Sequence, residues 1–320
     1  MRFTSPNIEE MLLKRQVSIE KGRNNININI GWEREKGKGY HFAFGEYKLS
    51  IRNSNGQKED IIIEEDSKSI STRVWDCSVL TTKWFEQNVF SSSLPSSLPS
   101  SLPSSLSSSL SSSSSSSSGP NLMNALRTKV DTLSKSNHNR PIQVLELGSG
   151  TGLLSICLAK IGGTNIAIMS TEYGLAVNHL EKNIVRNYVD ILSANSFSSD
   201  TKNTTLIAGC VSCRELDWYK TEETLQSIFP NKNDTPIFDL IVVTDCTLSE
   251  RDSRGTLGMI HKYGSPGHTM VVVGICNERE GTPYFIETAK EIFADYTIVP
   301  QTDYHKDYQS SRHKIMLIQV

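Results

Sequence analysis

The chain has 320 residues, 37% of them hydrophobic, which is enough for one α/β domain of roughly 200 residues plus accessory segments. Its formal net charge of -2, from 33 basic and 35 acidic residues, argues against a general nucleic-acid or anionic-membrane surface. Six scattered cysteines form no dense disulfide framework, and no window approaches the roughly 20 apolar residues that span a bilayer, so a reducing compartment is expected, with the cytoplasm as default and the nucleus left open.

The N-terminal stretch MRFTSPNIEEMLLKRQVSIEKGR carries acidic residues and lacks the apolar core of a secretory leader. Between residues 27 and 64, the strand-like pieces YHFAFGEYKLSIR and IIIEE flank the turn former NSNG, which predicts a small antiparallel lead-in. From Val74, VWDCSVLTTKWFEQ places Val79, Leu80, Lys83 and Trp84 at helical spacing, with a first turn expected near the ligand cleft. Residues 91–118 are almost pure serine with leucine and proline at intervals, followed by Gly119 and Pro120. So little apolar area cannot offset the entropy of ordering it, so a disordered insertion is expected. The chain thus divides into an N-terminal extension (1–73), a pocket helix (74–90), the serine-rich insertion (91–120) and a core (121–320).

After the insertion the pattern becomes regular. QVLELG, NIAIMSTE, TTLIAGC, FDLIVVTDC and TMVVVGICN read as strands, and LLSICLAKIG, GLAVNHLEKNIVRN and YFIETAKEIFADY as helices. Short apolar strands alternating with helices predict a largely parallel sheet covered on both faces. TIVP and HKIMLIQV, joined by a polar run, read as a closing antiparallel hairpin at one edge.

Val144–Gly152, VLELGSGTG, is the most informative stretch: an apolar strand, then glycines spaced GxGxG, then a helix. That order makes room for a nucleotide-like cofactor beside the backbone. Gly148 and Gly150 permit a tight turn and close approach, while Gly152 allows helix-to-strand packing. The next strand ends at Glu172, where a carboxylate accepts hydrogen bonds from a ribose diol. These features leave a nicotinamide dinucleotide as a competing ligand. A triphosphate-binding loop is excluded because GxxxxGK[ST] is missing.

With these motifs, the chain resembles the seven-β-strand S-adenosylmethionine-dependent methyltransferases, and more narrowly their protein-lysine methyltransferases (methyltransferase family 16-like). The resemblance covers about 74–90 and 141–320. It rests on VWDCSVLTTKWFE, VLELGSGTGLLSI, TEYGLAVNHLEKNIVRN, LDW at 216–218, FDLIVVTDCTL at 238–248 and CNERE at 276–280. It implies an α/β, seven-stranded Rossmann-like methyltransferase sheet, S-adenosyl-L-methionine as cofactor, S-adenosyl-L-homocysteine as product, no metal, and a protein substrate with an accessible lysine, without nucleic-acid or membrane partners.

The resemblance also implies roles. Gly148, Ser149 and Gly150 hold the methionine end of the cofactor, with Glu146 beside them at the cofactor site, a supporting or helix-capping role being its alternative to direct contact. Glu172 takes the ribose position, and Asp217 and Trp218 lie by the adenine. Trp75 lines the pocket from the preceding helix, Thr244 borders it, and Asp245 stands beside the methyl-transfer centre as the catalytic candidate. Bland rivals are core packing for Trp75 and Trp218, and a helix N-cap for Asp245. DCTL places Leu248 where family members that methylate protein side chains commonly carry an aromatic residue, so Tyr173 or Tyr219 becomes the candidate aromatic wall.

Other constellations are thin. Cys210 and Cys213 form a single CxxC without a second ligand pair. His261, His268, His305 and His313 show no ligand spacing and read as surface residues, as do Glu278, Arg279 and Glu280, while Asn277 is a candidate for the substrate rim. LGSGTG is not a nucleophile elbow. A methyltransferase-like protein that binds without transferring, and a methyltransferase acting on a small molecule, are the alternative functions.

Overall fold

The computed structural model describes residues 45–66, 69–90, 121–135, 140–192, 211–219 and 237–320. The serine-rich insertion, the segment TTLIAGC and Cys210 lie outside the described residues. Strands β1 (Gly45–Arg52) and β2 (Lys58–Glu65) form the lead-in hairpin, with Leu49 opposite Ile61 and Tyr47 opposite Ile63. Leu49, Ile51, Ile61 and Ile63 are buried. The free edge of β2 is closed by two asparagines one turn apart on a helix. Asn183 accepts from the Glu64 N–H (2.8 Å) and donates to the Glu64 carbonyl (3.1 Å), and Asn187 does the same at Ile62 (3.1 and 3.0 Å). An amide offers one acceptor and two donors, so these side chains stand in for a neighbouring strand.

The main sheet contains β3 (Ile142–Leu147), β4 (Ile166–Glu172), β5 (Val211–Glu215), β6 (Leu240–Thr244), β7 (Met270–Cys276), β8 (Asp295–Ile298) and β9 (His313–Gln319) in the order β5-β4-β3-β6-β7-β9-β8. The first five positions are parallel, and β9 runs antiparallel to both β7 and β8. The predicted closing hairpin is present, with its second strand inserted between β7 and the edge. Helices are α1 (Asp76–Asn88), α2 (Leu122–Lys135), α3 (Leu153–Gly162), α4 (Ala176–Leu192), α5 (Glu250–Tyr263) and α6 (Thr282–Ile292). Neither α2 nor α5 is among the helices that the hydrophobic pattern predicts.

Strand periodicity divides the core. Leu145, Leu147, Ile241, Val243, Val271, Val273, Met316 and Ile318 pack with Leu257, Ile260, Phe285 and Ala289 of α5 and α6. The alternate strand residues face the other side, where α1 packs on α3 and on β6, β7 and β9. There Gly274 lies so close to α1 that a Cβ would stand 2.6 Å from Thr81 Oγ1. β7 is buried along its whole length, as a strand inside a sheet covered on both faces requires.

At the amino end of β6, the fully buried Asp239 accepts from Arg140 through both oxygens (2.7 and 2.9 Å), from the Gln143 N–H (2.8 Å), and pairs with His268 Nε2 (2.8 Å). Burial alone raises this carboxyl's pKa, but the hydrogen bonds from Arg140, Gln143 and His268 outweigh it and leave the value below ordinary. The guanidinium is 42% exposed, which discounts the pair. Arg140→Met is expected to lower stability by about 2 kcal/mol, read by urea unfolding, because the carboxylate stays buried with fewer donors. His313 proves fully buried rather than superficial, with Nδ1 at 2.9 Å from Ser310 Oγ.

Candidate active site

The chemistry-bearing residues gather at the carboxyl ends of β3 to β7, where open α/β sheets place their ligands. The turn after β3 has Gly148, Gly150 and Gly152 at φ of +64°, +55° and +83°. At Gly148 a Cβ would stand 2.6 Å from Cys246 Sγ and 3.3 Å from the Trp218 ring, so only glycine lets the turn seat against both. At Gly152, which starts α3, a Cβ would come within 2.5 Å of Leu180 Cδ1 of α4. Gly152→Ala is expected to cost about 1–3 kcal/mol in unfolding experiments, from left-handed backbone strain and that contact.

Beneath the turn lies a buried polar network. Glu146, only 1% exposed, accepts from Ser155 through a short hydrogen bond and from Ser170 Oγ at 3.3 Å. Ser170 Oγ also lies 2.8 Å from Ser149 Oγ, which accepts from the Thr171 N–H (3.1 Å), while the Ser149 N–H reaches the Thr171 carbonyl (2.8 Å). Burial pushes the Glu146 carboxyl up to about 7 against the opposing serine hydrogen bonds. Glu146 and Ser149, both expected at the cofactor site, therefore stitch β3 to β4 from behind; neither lines the cleft.

The cleft itself, about 490 Å³, is lined by the other residues expected there: Trp75, Gly148, Gly150, Glu172, Asp217, Trp218, Thr244 and Asp245. Glu172, at the last position of β4, accepts from the Gly150 N–H (2.7 Å), the Tyr173 N–H (3.0 Å) and Ser71 Oγ (3.4 Å). Burial raises its pKa, opposed by those three hydrogen bonds. Asp217 accepts from the Tyr219 N–H (2.9 Å), closing the turn that presents Trp218. Gly255 of α5 makes room for that indole, since a Cβ there would stand 3.2 Å from Trp218 Cε3. Trp75 precedes α1 as its N-cap residue and donates from Nε1 to the Ile70 carbonyl (2.9 Å).

Asp245 follows β6 at φ +55°, in the left-handed region, the one non-glycine residue so placed among the described residues. It is not a helix cap: Ser249 caps α5, accepting from the Asp252 N–H at 3.2 Å. Instead both carboxylate oxygens engage Arg279, to Nε at 2.9 Å and to the terminal nitrogen at 2.5 Å. Arg279 is therefore a partner of the site and not a solvated turn residue; its side chain is 12% exposed. Asn277 is held away from the cleft lining, donating to the Ser311 carbonyl (3.1 Å).

Lining residues outside the motifs are Ile70 and Ser71 before α1, and Arg251 and Asp252 in the first turn of α5, while Leu216 of the LDW motif also lines the cleft. Tyr173, Tyr219 and Leu248 also border the cleft, and the two tyrosines are 59% and 49% exposed. Cys213 sits inside β5, its Sγ 3.8 Å from the Val177 carbonyl.

Sheet order, glycine turn and the acidic end of β4 together define a Rossmann-like methyltransferase fold. The sequence profile of the lysine methyltransferase family matches residues 55–291, and the chain belongs to that family. No curated protein sequence matches it. Similar solved structures include the METTL16 MTase domain (12% identity, 62% of this chain, 66% of that one, TM-score 0.37). Precorrin-6y C5,15-methyltransferase from Geobacter metallireducens GS-15 is another (12% identity, 62% and 90% covered, TM-score 0.34), as is PigF with SAH (12% identity, 62% and 60% covered, TM-score 0.37). The chain thus spans less than two thirds of the METTL16 and PigF chains.

Proposed function

We propose that this chain transfers a methyl group from S-adenosylmethionine to the side-chain nitrogen of a lysine in a protein substrate. The observation that carries the reading is Glu172: a carboxylate at a strand end, fixed by the Gly150 N–H and bordering the cleft. A carboxylate whose pKa burial has raised gains from further donors, and a ribose diol supplies two. The donor set and the cleft volume therefore fit the cofactor.

Bound there, S-adenosylmethionine supplies a methyl carbon activated by its sulfonium. The chain's own contribution is binding, orientation and exclusion of water. In this reading Glu172 binds the ribose, the Trp218 indole packs on the adenine with Asp217 beside it, and Gly148 and Gly150 allow close approach. Thr244, Asp245 and Leu248 form the acceptor end. Arg279 holds both Asp245 oxygens with one hydrogen bond each, so the carboxylate is fixed in direction and keeps a lone pair on each oxygen with which to orient the acceptor. The lysine ammonium releases its proton to solvent on entry, since desolvation beside Leu248 and Trp75 disfavours the charged form.

Calorimetry with S-adenosylhomocysteine, with NADH as competing ligand, tests the site. Saturable one-to-one binding of the first and none of the second is expected. Binding of NADH alone would replace this reading with a dinucleotide enzyme.

A further inference from the structure

The loop after β6 is held from the turn after β7 at several points. The Gly281 N–H donates to the Thr247 carbonyl (3.2 Å), and the Thr247 and Thr282 hydroxyls meet at 2.7 Å. Arg279 lies in that turn, its own backbone tied to the Cys276 carbonyl (3.3 Å) and the Thr282 N–H (3.1 Å). From this anchored base its guanidinium reaches two cleft residues. It grips Asp245 in a bidentate fork, and its central carbon lies 4.6 Å from the Trp75 ring centroid. The Trp75 ring also has the Arg73 guanidinium at 4.2 Å.

The strained backbone shows what the fork has to hold. An aspartate at φ +55° sits in a conformation disfavoured for residues with a Cβ, by about 1 kcal/mol, and persists only where its surroundings determine it. The Asp245 N–H donates to the Gly274 carbonyl (2.9 Å), which fixes one side of the peptide, and Arg279 fixes the carboxylate. A guanidinium fork sets direction as well as charge, which a lysine ammonium does not.

We infer that Arg279 is a positioning residue for methyl transfer: by holding the Asp245 carboxylate and stacking on Trp75, it sets the shape of the acceptor end of the cleft without taking part in cofactor binding. This rests on the methyl-transfer reading above and adds to it a residue outside the cleft lining. The arrangement also explains how Leu248 suffices at the usual aromatic position, because the Arg279–Trp75 stack provides a rigid wall from the opposite segment.

The test compares Arg279→Met, Arg279→Lys, Asp245→Asn and the double variant Asp245→Asn/Arg279→Met. Arg279→Met is expected to bind S-adenosylhomocysteine within about threefold of wild type, with kcat for methyl transfer lowered at least tenfold, and Arg279→Lys is expected to be intermediate. The double variant should be no worse than Asp245→Asn alone, as for two residues acting through one contact. Hydrogen exchange in the presence of S-adenosylhomocysteine supplies a readout independent of turnover: amides of 245–249 should exchange faster in Arg279→Met, while those of 148–156 stay unchanged. Wild-type kcat in Arg279→Met, additive losses, equal loss of ligand binding, or unchanged exchange at 245–249 would each overturn the inference. Absence of transfer by the wild type defeats the methyl-transfer reading instead, and the exchange result then still judges whether Arg279 holds the loop.

Discussion

Glu172→Gln is expected to weaken S-adenosylhomocysteine binding by about ten- to a hundredfold. The carboxylate lines the cleft and accepts three hydrogen bonds from within the chain, from the Gly150 and Tyr173 N–H groups and Ser71 Oγ, which leaves it further acceptor capacity. A hydrogen bond to a charged group contributes about 1.5–3 kcal/mol, and 1.4 kcal/mol is tenfold in affinity. Glutamine keeps the shape but turns one acceptor into a donor, which faces either the Gly150 N–H or the Tyr173 N–H and disturbs the turn that brings Gly148 and Gly150 to the ligand. Calorimetry checks this, with thermal unfolding to verify that the variant is folded. Equal affinity of variant and wild type would remove Glu172 from the ligand contacts.

Glu146→Gln should change the pH dependence of stability rather than binding directly. The folded chain holds this carboxyl's proton up to about pH 7, against an ordinary value of 4.5, because burial penalises the anion more than the serine hydrogen bonds reward it. The contribution from protonated Glu146 is therefore fully present below about pH 4.5, declines as the pH rises, and is gone above about 7. A shift of this size corresponds to about 3 kcal/mol. Glutamine does not titrate and keeps a donor and an acceptor for the serine cluster. The stability of Glu146→Gln relative to wild type should therefore rise by about 3 kcal/mol between pH 4.5 and 7, measured by urea unfolding across that range. Parallel profiles would show that the network of Ser149, Ser155 and Ser170 carries the anion without penalty.

Much of the architecture was legible because it rests on local signals. The apolar runs LIVVT and MVVVGIC are almost wholly buried and read as strands inside the sheet, and VLELGSGTG announced its own turn. The ends of those strands then fixed where Glu172, Trp218 and Asp245 would gather. What was not legible depends on contacts between distant segments. Arg279 meets Asp245 across 34 residues of sequence because β7 lies beside β6, and nothing in CNERE distinguishes a paired arginine from a solvated one. The place of Glu146 beside the glycines left a direct, a supporting and a helix-capping role open, and it is alternation along β3 that turns it under the turn, onto Ser155 and Ser170. The helix α5 was hidden by Gly255 and Gly258, whose poor helix propensity masks the apolar face of Leu257 and Ile260; Gly255 is there to clear the Trp218 ring. The cap at Ser249, followed by Glu250 and Asp252, was the signal that could have found it.

Methyl transfer to lysine can be followed with S-adenosylmethionine labelled in the methyl group, the purified full chain, and a heat-treated cell extract as acceptor, followed by acid hydrolysis and amino-acid analysis. Label is expected in protein, recovered as Nε-methylated lysine and lost with Asp245→Ala while S-adenosylhomocysteine still binds. Label confined to small molecules, or ligand binding with no label in protein, would contradict it, the first pointing to a metabolite acceptor and the second to a methyltransferase-like protein that binds without transferring.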